Sequence, residues 1–310
     1  MESDTARSVA TTTVTAGLVD VTIMTTFDEW ADDATMIPVG DVHVALQDRG
    51  AQALPVLTYC HGYPSSSHDL ADVVGLLDDW RVVGIDFIGF GASDKPRDRT
   101  LTIHDQADAI EAAWAYTGVS STLLQCHDYG VSVGQELLAR RGDGILSVEI
   151  SGVVWHNGGL YPDLHRPTVG QQLLRDPDHG AAVAAAITER SFSDGVGVTW
   201  GTRVPMTDEL IHEMWLGMEH NDGVSMAHEL LHYIDDRREH AERWRDALEN
   251  CDLPQTFVWG DLDPVSGAHV MERLRERLPT ATMVALADVG HWPPLEAPEV
   301  VAAAIESHRR

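Results

Sequence analysis

A chain of 310 residues, 44% of them hydrophobic, is long enough for one sizeable α/β core carrying an insertion, or for two smaller domains. Its formal charge of −28, from 49 acidic and 21 basic residues, repels nucleic-acid phosphates and anionic membranes. No apolar run reaches the roughly 20 residues of a membrane helix, so neither nucleic acid nor a membrane is an expected partner.

Lys95 is the sole lysine. The acid excess resembles that of salt-adapted, halophilic proteins, since molar salt shortens the Debye length to about 3 Å and removes most self-repulsion. A high-GC genome explains the loss of lysine, though less well the excess of acid. Residues 1–17 are rich in Thr, Ser and Ala and lack the apolar centre of a signal peptide; they read as a flexible tail. Cys60, Cys126 and Cys251 have neither metal-ligand spacing nor the pattern of a disulfide framework, which favours a reducing, cytoplasmic setting.

From about Val19 to Gly50, apolar and polar positions alternate with turns at Gly40 and Gly50, as in an opening antiparallel pair. Pro55 to Cys60 reads as a buried strand, Asp72 to Trp80 as a helix and Arg81 to Ile85 as a second buried strand. Asp86 to Pro96 carries too many turn formers for a regular element. A helix over Ile103 to Tyr116, a strand over Ser121 to Gln125, a helix ending near Arg141 and a strand over Ile145 to Val154 follow. This alternation predicts a mostly parallel sheet covered on both faces. From His156 to Asn250 the strands cease and glycine-broken helical segments rich in Trp, Met, Glu and His take over. Such a stretch predicts a cap over residues 156–250, with Trp200, Met214, Trp215 and Met218 packed over the mouth of the sheet. Strand Gln255 to Trp259, helix Gly267 to Leu278, strand Thr282 to Leu286 and helix Pro298 to Ser307 complete a core made of residues 18–155 and 251–310.

The segment Gln-Cys-His-Asp-Tyr-Gly from Gln125 has the pattern of a nucleophile elbow. In such an elbow a strand ends in a sharp turn into a helix, and small neighbours leave the central side chain exposed above the sheet. Asp128 occupies the centre, where esterases and lipases carry serine. An aspartate there points to attack on saturated carbon; the alternative is an Asp-Tyr-Gly turn without chemistry. A nucleophile needs a base, and the base an orienting partner. Asp261 and Asp263 follow one strand end and His291 follows the last, which is the nucleophile, acid, base order of α/β-hydrolases. Either aspartate also suits a helix cap.

Further motifs are His-Gly-Tyr-Pro-Ser-Ser-Ser from His61, Asp-Phe-Ile-Gly-Phe-Gly-Ala-Ser-Asp-Lys-Pro from Asp86, Asn-Gly-Gly-Leu-Tyr-Pro from Asn157, His-Arg-Pro from His165, Asn-Asp-Gly from Asn221 and Leu-Asp-Pro-Val from Leu262. With them the chain resembles, over nearly its whole length, the epoxide hydrolase and haloalkane dehalogenase branch of the α/β-hydrolases, and looks closest to the mesoderm-specific transcript protein group. The resemblance implies an eight-stranded, mostly parallel sheet with a helical cap after the sixth strand. It assigns Asp128 as nucleophile, His291 as base and Asp263, in preference to Asp261, as the acid. The amides of Tyr63 and Tyr129 would form the oxyanion hole and the Tyr63-Pro64 bond would be cis, with Cys60 and Cys126 as packing residues beneath. The implied chemistry needs no metal or organic cofactor, only water and a small hydrophobic electrophile, an epoxide or alkyl halide.

Epoxide opening in the relatives uses two cap tyrosines, for which Tyr233 and, less well placed, Tyr161 are available. Halide release uses paired N–H donors, usually tryptophan after the nucleophile and Asn or Trp after the His-Gly pair; here Tyr129 and Tyr63 stand instead. Epoxide hydrolysis is the favoured expectation and dehalogenation the second. A non-catalytic binding protein of the same fold is the alternative of another class.

Overall fold

The computed structural model describes residues 25–309. The tail expected over residues 1–17 lies outside the described residues, as do residues 19–24 of the expected opening pair. The remainder of that pair is preceded by a helix, α1 (Phe27–Asp32), whose N-terminus is closed by a capping box between Thr26 and Glu29. Phe27 and Trp30, three apart, are both buried, which is helical rather than strand spacing. The antiparallel pair is therefore shorter than expected: β1 (Thr35–Val39) and β2 (Val42–Arg49).

Eight strands form one sheet in the order β1-β2-β4-β3-β5-β6-β7-β8. The remaining strands are β3 (Val56–Cys60), β4 (Arg81–Ile85), β5 (Ser121–Cys126), β6 (Glu149–Trp155), β7 (Gln255–Gly260) and β8 (Thr282–Leu286). β2 meets β4 antiparallel, and every pairing from β4 to β8 is parallel. All residues of β4 and β7 are buried, as a sheet covered on both faces requires. β6 starts later than expected, because the chain leaves the preceding helix through Gly144, at φ 71°, and Ile145 is exposed.

The expected helix over Asp72 to Trp80 is only one turn, α2 (Ala71–Val74), ended by Gly75. Val73, Leu77 and Trp80 are nonetheless buried; their helical spacing comes from turns that repeatedly return the chain to the core. α3 (Ile103–Thr117) and α4 (Tyr129–Gly142) cover one face of the sheet. α2 and α14 (Pro298–Glu306) cover the other.

Between β6 and β7 the described regular elements are all helical: α5 (Val169–Leu174), α6 (Gly180–Ala185), α7 (Glu189–Gly197), α8 (Asp208–Glu219), α9 (Ala227–Leu230), α10 (Tyr233–Glu239) and α11 (Ala241–Glu249), with 3-10 segments at Pro162–Leu164 and His220–Met226. α12 (Ala268–Arg277) follows β7, and α13 (Pro293–Glu296) follows β8. Met214, Trp215 and Met218 of α8 pack with Phe192 and Val196 of α7 and with Trp292 and Leu295 beyond β8, and Trp200 lies against this cluster. Behind the sheet, the buried Glu136 of α4 accepts from Trp244 Nε1 at 2.9 Å, Arg140 Nε at 3.0 Å and Arg243 Nε at 3.2 Å. It joins the helical insertion to the helix that leaves the elbow. Trp244→Phe keeps the buried ring and removes one donor, so it should destabilise the fold by about 1–2 kcal/mol, read from urea unfolding.

Candidate active site

The ends of β3 and β5 lie side by side, Cys60 opposite Cys126, and the chain turns sharply after each. His127 N–H donates to Cys60 O at 3.0 Å, and Gly130 N–H to His61 O at 2.9 Å. A Cβ on Gly130 would run into the Cys60 carbonyl, so the elbow requires glycine there. Asp128 sits at φ 45°, ψ −102°, outside the regions favoured by non-glycine residues. It precedes α4, yet its carboxylate makes no capping bond to that helix, contrary to the usual habit of an aspartate at this position. Instead Asp128 Oδ2 accepts from the Tyr63 amide at 3.1 Å. The Tyr63-Pro64 peptide is cis.

His291 follows β8 and faces Asp128, with Nε2 3.5 Å from Oδ1. Its Nδ1–H donates to Asp263 Oδ2 at 2.7 Å. Asp263 is the partner rather than Asp261, and three further donors hold it: Val265 N at 2.8 Å, Ser266 Oγ at 2.7 Å and Asn157 Nδ2 at 3.1 Å. Asn157 also brackets Gly260 through both side-chain atoms, tying the end of β6 to the end of β7. The His291 backbone is fixed from two sides, its N–H donating to Thr199 O at 2.8 Å and its carbonyl accepting from His127 Nε2 at 2.8 Å.

All three side chains are nearly removed from water. Burial alone would raise the Asp263 carboxyl, but the His291 charge and the hydrogen bonds from His291, Ser266 and Val265 hold it at about 2. Burial likewise opposes protonation of His291, and its two carboxylate neighbours outweigh burial, lifting it to about 10. Against the burial penalty, the His291 hydrogen bond and charge and the Arg237 charge keep Asp128 well below the usual carboxylate range. Burial lowers His127 to about 4, so near neutral pH it is an uncharged brace.

A cavity of about 450 Å³ opens on Asp128 and His291. Its far walls come from the insertion, among them Leu174, Val183, Ile187, Phe192 and Val196, and its floor includes Tyr63, Pro64 and Trp292. Apart from Asp128 and His291, no lining residue is ionisable near neutral pH, which suits an uncharged apolar ligand.

The two tyrosines expected at the substrate differ, and neither belongs to the cavity lining. Tyr161 is a correction: its hydroxyl donates to Glu249 Oε1 at 3.2 Å and Arg273 lies over its ring, because it faces α11 and α12. Tyr233 packs its ring 4.8 Å from that of Tyr129, and its buried hydroxyl has no hydrogen-bond partner. Burial and the nearby Asp128 carboxylate raise that phenol far above its ordinary value. The adjacent Arg237 offers only donors, so the phenol proton has no acceptor there. The Tyr63 hydroxyl is committed to Ala227 O at 3.1 Å, and the Tyr129 hydroxyl interacts with Gln106.

The family model for the alpha/beta hydrolase fold matches residues 55–298. The chain is an α/β-hydrolase. This agrees with its motifs, its strand order and its helical insertion. The α/β-hydrolase is 36% identical over 278 residues to the putative hydrolase LipZ of Mycobacterium tuberculosis (strain ATCC 25618 / H37Rv), covering 89% of this chain and 95% of LipZ. It is 35% identical over 254 residues to the mesoderm-specific transcript homolog protein of Homo sapiens, covering 78% and 75%. Its fold matches the crystal structure of haloalkane dehalogenase DbeA from Bradyrhizobium elkani USDA94 with a TM-score of 0.75 at 18% identity, covering 88% and 96%.

Two positions that the sequence did not single out for a role emerge here: Asn157, quoted only within a motif, and Arg237. The linkage of charge to stability has a definite sign. Folded His291 keeps its proton up to about 10 against an ordinary 6.5, so its contribution is whole below 6.5 and is lost as pH rises toward 10. Asp263, at about 2 against 3.8, contributes above 3.8 and is lost as pH falls toward 2. Asp263→Asn should therefore flatten the decline of the melting temperature between pH 6.5 and 10. Equal slopes in variant and wild type would remove Asp263 as the counter-charge of His291.

Proposed function

We propose that this α/β-hydrolase opens epoxides to diols through an ester on Asp128. The observation that carries the reading is the Asp128 carboxylate held at the elbow between the Tyr63 amide, at 3.1 Å, and His291 Nε2, at 3.5 Å. One carboxylate oxygen attacks an epoxide carbon, the carbon–oxygen bond breaks and its electron pair stays on the departing oxygen, which takes a proton from Tyr233. Once the ester has formed, His291 releases its proton and the phenolate is reprotonated, so Tyr233 and the imidazole are both neutral before the second step. His291, oriented by Asp263, then accepts a proton from water as the water oxygen adds to the Asp128 carboxyl carbon. The amides of Tyr63 and Tyr129 receive the oxyanion. Collapse expels the diol oxygen, which takes that proton back from His291. The second water proton, left on the Asp128 carboxyl, then passes to the imidazole, restoring the Asp128 carboxylate and the charged His291. Esterification removes one of the two carboxylates that raise His291, so the imidazole gives up its proton more readily once the ester exists and becomes a base when one is needed. Residues 156–250 act as the cap that shapes the substrate cavity, over a core whose described residues are 25–155 and 251–309.

The leaving group is inferred from proton and N–H donors. Tyr233 has a phenol proton without an acceptor beside Asp128, which suits a departing alkoxide. A halide would need paired donors. Those nearest Asp128 are engaged: the Tyr63 hydroxyl with Ala227, the Tyr129 hydroxyl with Gln106, and Trp292 Nε1 with Thr199 Oγ1 at 3.0 Å. Dehalogenation is the second reading, favoured by the fold shared with DbeA.

His291→Gln should leave the first step intact, so incubation with styrene oxide should add the epoxide mass to the peptide containing Asp128, while Asp128→Asn should add none. Unlabelled His291→Gln across epoxide and bromoalkane panels would sink the ester mechanism. Tyr233→Phe should slow diol formation by on the order of a hundred-fold and leave any bromide release from bromobutane unchanged. The reverse pattern favours the dehalogenase.

A further inference from the structure

Arg237 of α10 is 2% exposed, and among the described residues no carboxylate forms an ion pair with it. A buried charge without compensation is strongly destabilising, so its surroundings need explanation. Nη2 donates to the backbone carbonyl of Asp128 at 2.9 Å and Nε to Ser132 Oγ at 2.6 Å. The guanidinium lies 4.3 Å over the Tyr233 ring, a favourable cation–π contact. Gly159 makes the space, since a Cβ there would land on the guanidinium. The neighbouring buried carboxylate, Asp236, is turned to the Ile103 amide at 2.8 Å. The Asp128 carboxylate feels the Arg237 charge and is the anion left to balance it through space.

Resting on the ester chemistry above, we propose that Arg237 is a positioning residue that favours ester hydrolysis over ester accumulation, by holding the carbonyl of the strained Asp128 turn and supplying a buried positive charge beside the carboxyl group. In the free enzyme that charge is balanced by the carboxylate. When Asp128 attacks carbon, its negative charge leaves with the departing group and Arg237 loses its counter-ion. When water adds to the ester carbon, the carbonyl electron pair moves to oxygen, the proton goes to His291, and an anion stands beside Arg237 again. The charge therefore opposes the first step slightly and assists the second.

Arg237→Met removes the charge and keeps much of the length. With styrene oxide, quench-flow and intact mass should show ester forming at least as fast as in wild type and decaying on the order of ten-fold more slowly. Arg237→Lys should recover part of the decay rate, and Ser132→Ala, which loosens one anchor and keeps the charge, should slow decay less than Arg237→Met. A purely structural role would slow both steps together or raise KM alone, and either result overturns the proposal. The balance of charge is also tested without substrate, by urea unfolding of wild type, Asp128→Asn, Arg237→Met and the double variant. The two substitutions should be non-additive, each less harmful in the presence of the other; strict additivity overturns the pairing. Absence of ester in His291→Gln would count against the epoxide mechanism, whereas normal ester decay in Arg237→Met would count against Arg237 alone.

Discussion

Everything at this site depends on one imidazole shared by two buried carboxylates. His291 holds Asp263 by a 2.7 Å hydrogen bond and faces Asp128 at 3.5 Å, and all three are nearly dry. Isolated, each ion would be expensive to bury; together, and with Arg237 behind Asp128, they form a set whose charges compensate. The sheet makes the set possible because parallel strands deliver their carboxyl ends to one edge. The turn after β5 contributes Asp128, the turn after β7 contributes Asp263, and the loop after β8 contributes His291.

The helical insertion does more than roof the cavity. Thr199 O receives the His291 amide. Glu296 accepts from the amides of Gly290 at 2.9 Å, Gly201 at 2.8 Å and Trp292 at 3.2 Å. Arg203, just beyond Gly201, binds Asp288 Oδ1 at 2.8 Å. These contacts stitch residues 199–203, midway along the insertion, to the loop that carries the imidazole, while α10, later in the insertion, grips the elbow through Arg237. Two separate parts of the insertion, its middle and α10, thus bear directly on the charged set.

What the sequence disclosed follows from burial. Strands covered on both faces are continuous apolar runs, so β3, β4, β5 and β7 and the polar residues at their ends are legible, and with them Asp128 and the pair Asp261 and Asp263. The choice of Asp263, and the role of His291 after the less buried β8, come from the family resemblance. The one-turn α2 was misread because Val73, Leu77 and Trp80 reproduce helical spacing without a helix. α1 was missed because a six-residue helix carries too few turns to outweigh the alternation around it. Arg237 lies within Asp-Asp-Arg-Arg-Glu, which reads as a solvated helix face. Only the orientation of α10 over the elbow buries it. Tyr233 is the better placed of the two cap tyrosines in sequence, and the structure separates them further by setting Glu249 in front of the Tyr161 hydroxyl.

The bond from His291 N–H to Thr199 O also bears on how such a protein diversifies. The cavity walls, α5 to α7, and the anchor of His291 lie within a few residues of one another, Val196 lining the cavity and Thr199 holding the imidazole loop. Recognition and reactivity are therefore not separate modules. Replacing the whole insertion by that of another hydrolase would remove a support of the imidazole together with the old walls. Cavity-facing side chains outside that packed cluster, such as Val183 of α6, can change in size, whereas Phe192 and Val196 are held by their packing against α8 and the short segment from Thr199 to Arg203 must keep its path, so variation in selectivity is channelled into the former.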